Sequence, residues 1–221
     1  MIQFSAVAKR YPGGHEALRG VSLEVAAGEM VAVTGHSGAG KSTLLKLAAG
    51  IERATGGTVV VNGQNLGALG ETALAVLRRR VGFVFQDHKL LFDRNAFENV
   101  ALPLRIAGFA HDEAGRRVRA ALDKVGLLGR ERSMPVAMSG GEQQRLCIAR
   151  AIVNRPSVLI ADEPTGNLDR DYARAIVDLF NSFNQVGVTV LLSTHDEASL
   201  DLLGCRRVML AAGAVLPAVP A

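Results

Sequence analysis

The run Gly35-His36-Ser37-Gly38-Ala39-Gly40-Lys41-Ser42 spaces its glycines so that a turn can wrap backbone N–H groups around a chain of phosphates. Lys41 is placed to reach the β- and γ-phosphates of a nucleotide, and Ser42 to set its hydroxyl on Mg2+. The loop amides and a helix dipole take up the remaining charge. Such a loop needs a buried strand behind it and a helix N-terminus in front. Both are readable, since Met30 to Thr34 is apolar and Thr43 to Ala48 is helix-forming. An ordinary strand-turn-helix junction is the plainer alternative, and this context weighs against it.

A second magnesium element requires a carboxylate at the end of a buried strand. Val158-Leu159-Ile160-Ala161-Asp162 supplies one, followed at once by Glu163. The expected division of work puts Asp162 in the shell of the metal, with Glu163 orienting and deprotonating the water that attacks the γ-phosphate. Taken alone, two acids after a strand can simply cap the next turn. Ser139-Gly140-Gly141-Glu142-Gln143 opens the helical run Gln144 to Val153 with a serine suited to capping and two glycines that permit close approach, which makes a second anion site. One ATP cannot easily use both cradles of one chain. The economical arrangement is a homodimer with ATP sandwiched at its interface, each chain presenting Ser139 to Gln143 to the nucleotide of the other.

Lying upstream of Asp162-Glu163 and joined to the phosphate loop, Ser139 to Gln143 resembles the signature of the ABC-type ATPases, and the resemblance covers nearly the whole chain. It implies a Mg-dependent ATPase. Gly35 to Thr43 and Ser139 to Gln143 then bind ATP, Tyr11 stacks on adenine, and Gln86 lies in the loop that senses the γ-phosphate and metal. Ser42, Gln86 and Asp162 serve Mg2+, Asn167-Leu168-Asp169 contacts the second chain, and His195 is a γ-phosphate switch. Lys41, Gln86, Glu163 and His195 are the catalytic group. Outside this series Tyr11 reads as an ordinary aromatic, Gln86 as a strand-end polar residue, and His195 equally well as structural. Met138 and Glu142 depart from the commonest signature, where leucine and glutamine stand. Met138 keeps an apolar filler, whereas Glu142 puts a carboxylate near the phosphate site of the partner.

A finer match lies in Phe85-Gln86-Asp87-His88-Lys89-Leu90-Leu91, Ala121 to Leu128 and Ser139 to Arg145, which with the phosphate loop are similar to the FtsE family of cell-division ATPases. That resemblance implies an integral membrane partner of FtsX type, contact with the cytoplasmic division machinery, and a place on the cytoplasmic face of the inner membrane at the division site. ATP cycling would then control cell-wall hydrolases. Leu90, Leu91 and Phe92 are candidates to line the partner groove. The alternative is the ATPase subunit of a lipoprotein-releasing or small-solute transporter. A soluble cassette acting on ribosomes or DNA usually joins two cassettes or carries long coiled coils. A phosphotransferase is opposed by Ser139 to Gln143.

These motifs need a particular frame. Near-alternating Ile2 to Val7, Val21 to Val25 and β-branched Thr58 to Val61 predict a strand-rich flank. From Val158 onward, strands at Val158 to Ala161, Val188 to Ser193 and Arg207 to Leu210 alternate with helices at Asp171 to Asn184 and Glu197 to Leu203, which implies parallel βαβ pairing. Asn95 to Val153 reads as helical. The expected fold is α/β, a P-loop NTPase of ABC type. It is a single domain over 1–221, with an N-terminal antiparallel β subdomain and a mixed or parallel core in 1–94 and 156–221, and a helical insert over about 95–155. At 221 residues and 48% hydrophobic the chain can bury one large core. Its 25 Lys and Arg against 21 Asp and Glu leave a surplus too small to point to a specific nucleic acid. Arg78 to Arg80 and Arg116-Arg117 read as solvated helix faces. Cys147 and Cys205 lack metal-site spacing and are expected as reduced thiols. No leader is visible, and the apolar end from Val208 is broken by Gly213, Pro217 and Pro220, so a soluble cytosolic chain is expected.

Overall fold

A computed structural model describes residues 1–166 and 168–216; Asn167, Pro217 and Pro220 lie outside the described residues. In chain order the elements are β1 (Ile2–Arg10), β2 (Glu16–Val25), β3 (Met30–Thr34), α1 (Lys41–Ala48), β4 (Gly56–Val61), β5 (Gln64–Asn65), α2 (Glu71–Arg78) and β6 (Val81–Val84). Then follow α3 (Ala96–Ala107), α4 (His111–Lys124), α5 (Gly140–Ile152), β7 (Val158–Asp162), α6 (Arg170–Gln185), β8 (Thr189–Ser193), α7 (Glu197–Leu203), β9 (Arg206–Ala211) and β10 (Ala214–Val215). Two sheets form, an antiparallel one in the order β2-β1-β4-β5 and a second in the order β10-β9-β3-β8-β7-β6. In the second, all pairings are parallel except the β9–β10 hairpin at its edge.

The apolar runs of β3, β7 and β8 are continuous because both faces of this sheet are covered. Alternation along each strand sends neighbours to opposite cores. Met30, Ala32, Leu159, Ala161, Val190 and Leu192 pack with helices α3 to α6. Val31, Val33, Val158, Ile160 and Leu191 pack with α1 and the antiparallel sheet. The parallel sheet is thus a wall shared by two cores, and the phosphate loop leaves it at the carboxyl end of β3.

β1 runs three residues beyond the expected end at Val7. The register against β2 shifts three times along the way, first between Phe4 and Val7, where Ala6 takes φ 48°, then between Val7 and Lys9 and between Lys9 and Arg10. Lys9 and Arg10 pair with Leu18 and Glu16. The expected helical stretch resolves into α3, α4 and α5. Asn95 caps α3, its side chain accepting from Glu98 N at 2.8 Å while Glu98 Oε2 accepts from Asn95 N at 3.1 Å. Asn99, fully buried, accepts from Leu91 N at 2.9 Å and donates to the carbonyls of Leu91, Arg94 and Asn95, each at 3.0 Å. It thereby fastens the segment ahead of α3 to that helix. Leu90 belongs to the helical core, Leu91 is half-buried and Phe92 is exposed, so the apolar triplet does not share one surface.

Candidate nucleotide site

The phosphate loop follows β3 and ends in α1, whose N-cap is Gly40 at φ 105°. A Cβ there would stand 2.5 Å from the Ala17 carbonyl oxygen, so only glycine fits between the loop and β2. Lys41 is buried, and its ammonium donates to Gly35 O at 2.7 Å and His36 O at 3.3 Å. Glu163 Oε1 lies 3.6 Å from the same nitrogen. One cation therefore ties the loop to the end of β7.

Just past β7, Glu163 takes φ 47°, a left-handed conformation unusual for a residue with a side chain. Its N–H donates to Ser193 O at 3.1 Å and to Ser193 Oγ at 3.0 Å. The Ser193 hydroxyl in turn donates to Asp162 Oδ1 at 2.7 Å. The fold holds this backbone from β8, and the two adjacent acids part company. Asp162 is buried behind the loop, while the Glu163 carboxylate faces a cavity of about 550 Å³. Glu163 Oε2 lies 2.9 Å from His195 Nδ1 on an exposed imidazole that follows β8.

The wall of the cavity holds Tyr11, the whole run Gly35 to Thr43, Gln86, Glu163 and His195. Tyr11 shares a 3.2 Å hydrogen bond between its hydroxyl and that of Thr43, and Lys9 Nζ sits 4.9 Å above its ring. Burial pushes the Tyr11 hydroxyl above the ordinary phenol range. His15, which the sequence reading passed over, stacks on Tyr11 with ring centroids 6.3 Å apart. The β1–β2 turn brings the two together, with Tyr11 N donating to His15 O at 2.8 Å. Glu197, at the start of α7, also borders the cavity and was not anticipated.

Ser139 to Gln143 are not part of this wall. Ser139 caps α5 through a reciprocal box, its Oγ accepting from Glu142 N at 3.3 Å while Glu142 Oε2 accepts from Ser139 N at 2.9 Å. Arg130 Nε is 3.3 Å from Glu142 Oε1, so the carboxylate that departs from the common signature is turned back on the cap and charge-paired. Gln143 Nε2 donates to Pro135 O at 3.0 Å and Met138 O at 3.2 Å. The groups left to meet an anion are the Ser139 hydroxyl and the first-turn N–H groups of Gly140 and Gly141, which have no acceptor within the helix.

A family profile described as ABC transporter matches residues 18–166. The chain belongs to the ABC transporter family. This cassette is 56% identical over 196 residues to the "Cell division ATP-binding protein FtsE" of Escherichia coli K12, covering 89% of the chain and 88% of the relative. Its counterpart of the same description in Bacillus subtilis is 41% identical over 216 residues, with coverage of 98% and 95%. Among solved structures, the ATP-binding cassette MJ0796, described as a dimeric post-hydrolysis state bound to ADP and Pi, superposes with a TM-score of 0.91 at 34% identity, covering 98% of this cassette and 97% of that chain. The fold class and family read from the sequence are borne out. Among the described residues, no helix is long and apolar enough to cross a membrane.

Proposed function

We propose that the chain is the ATP-hydrolysing subunit of a bacterial cell-division ABC complex. The reading rests on the relatives described as FtsE, at 56% and 41% identity over most of both chains. The rival transporter reading has no such support among them. By analogy with that family, the cassette sits against the cytoplasmic face of the inner membrane at the division site, through an FtsX-type integral membrane partner.

The observation that carries the chemistry is the position of the Glu163 carboxylate between Lys41 and His195, at 3.6 and 2.9 Å, on the wall of the loop cavity. ATP enters with its adenine on Tyr11 and its phosphates along the N–H groups of Gly35 to Thr43. Phosphate oxygens replace Glu163 as counter-charge to Lys41. The released carboxylate can then accept a proton from water aimed at the γ-phosphate, while His195 steadies its second oxygen. The Ser42 hydroxyl, the Gln86 amide oxygen and the Asp162 carboxylate are hard oxygen donors of the kind Mg2+ takes, and the ion would neutralise charge between the β- and γ-phosphates.

Completion of the site comes from a second copy. Its Ser139, Gly140 and Gly141 approach the γ-phosphate, so ATP draws two chains together and hydrolysis lets them part. MJ0796, an ABC cassette with the same fold, is described as dimeric. The test is sedimentation of Glu163→Gln with Mg-ATP, alone and combined with Ser139→Arg. ATP-dependent dimers are expected from the first and monomers with bound ATP from the second. Normal dimers of the double variant would overturn the shared site.

A further inference from the structure

Directly after Gln86 the chain makes a turn in which His88 N donates to Phe85 O at 3.1 Å, and then places two successive non-glycine residues in left-handed conformation, His88 at φ 60° and Lys89 at φ 49°. Each carries a steric penalty that something nearby must outweigh. What faces their carbonyls is helix α5. Arg150 donates from Nη2 to His88 O at 2.6 Å and from Nη1 to Lys89 O at 2.7 Å, while Cys147 Sγ donates to His88 O at 3.2 Å. The guanidinium fork spans adjacent carbonyls with charge-assisted bonds in a partly desolvated setting, which strengthens both. A lysine has a single nitrogen and cannot reproduce that fork.

Farther along, the same segment is fastened by a different helix, where Asn99 of α3 takes hold at Leu91 to Asn95. The stretch beside Gln86 therefore depends on α5, the helix whose first turn is Ser139 to Gln143.

We propose that Arg150 is a positioning residue that holds the strained His88–Lys89 turn, so that Gln86 faces the nucleotide and the signature helix moves together with it. The inference rests on the assignment of Gln86 to the γ-phosphate and metal. Arg150 is not part of the cavity wall; it acts through the two carbonyls it grips.

The experiment compares the full chain with Arg150→Lys, Gln86→Ala, the two combined, and Arg150→Lys combined with His88→Gly. Each is measured for fluorescent ATP binding, and for kcat and KM in Mg-ATP. Arg150→Lys is expected to keep nucleotide affinity within about twofold and lower kcat roughly tenfold, because the phosphate loop is untouched. His88→Gly removes the left-handed penalty and should return roughly fivefold of that loss. A residue that merely packed α5 would gain nothing from a glycine on the loop. The Gln86 and Arg150 losses should not multiply.

Unchanged kcat in Arg150→Lys, absence of rescue by His88→Gly, or equal loss of binding and turnover would overturn the proposal. Multiplying losses, with Gln86→Ala itself slow, would overturn it and leave the Gln86 assignment standing. Full turnover in Gln86→Ala would overturn that assignment and this inference with it.

Discussion

The ring of Tyr172 lies against the backbone of Gly141, so near that a Cβ on Gly141 would stand 2.9 Å from Tyr172 Cδ1. Tyr172 belongs to the first turn of α6, whose N-cap Asp169 accepts from Tyr172 N at 3.1 Å. The first turn of the signature helix is therefore stacked on the turn that follows Leu168-Asp169. Gly141→Ala should force the ring aside, costing about 1–3 kcal/mol as overpacked sites do. Urea unfolding should show a lower midpoint, with most of the loss recovered by adding Tyr172→Ala; a midpoint that stays down in the double variant would contradict the contact.

Ser193 serves both acids at once, accepting from Glu163 N and donating to Asp162 Oδ1. Ser193→Ala leaves a buried carboxylate oxygen without its donor, an expected loss of about 1–3 kcal/mol. Turnover should fall while fluorescent ATP binding stays near that of the native chain. Turnover at the native rate would mean that Asp162 and Glu163 need no support from β8.

Asn99→Leu keeps similar volume but removes four hydrogen bonds to the segment from Leu91 to Asn95. The orphaned backbone groups predict a loss of about 2–4 kcal/mol. Hydrogen exchange should quicken most at the Leu91 amide. Uniform exchange changes across the chain would argue for global destabilisation instead.

Burial pushes the Cys147 thiol up to about 12, against 9.0 for a free cysteine. A folded-state value above the unfolded one means the proton is held more tightly in the fold. The associated stability is present below about pH 9 and drains away as pH climbs toward 12. At pH 8, iodoacetamide should leave Cys147 unmodified in the native chain and label it once urea is added. Rapid native labelling, read by peptide mass, would contradict the buried position.

Much of this was legible because the signals were local. Gly35 to Ser42 carried its own loop geometry, and Ser139 with the two glycines after it marked a helix start. The runs Met30 to Val33 and Val158 to Ala161 were too continuously apolar for a half-exposed strand. What escaped depends on pairing across the chain. The extension of β1 to Arg10 runs through three register shifts against β2, and α2 shows only Leu74 and Leu77 as buried positions in a short helix. His15 gains meaning only when the β1–β2 turn lays it on Tyr11. Leu90 and Phe92 look alike in composition, yet one closes a core and the other meets solvent. Arg150 reads as one more surface cation until the left-handed carbonyls of His88 and Lys89 are seen in its grip.

The left-handed turn at Glu163 has one more outcome. In a strand that simply continued, consecutive side chains would emerge on opposite faces of the sheet. Here a single peptide unit separates the buried Asp162 carboxylate from the Glu163 carboxylate on the cavity wall, and its own amide is latched twice by Ser193. That amide should surrender its proton to deuterium far more slowly than the openness of the neighbouring chamber would suggest, a stationary pivot under a reactive tip.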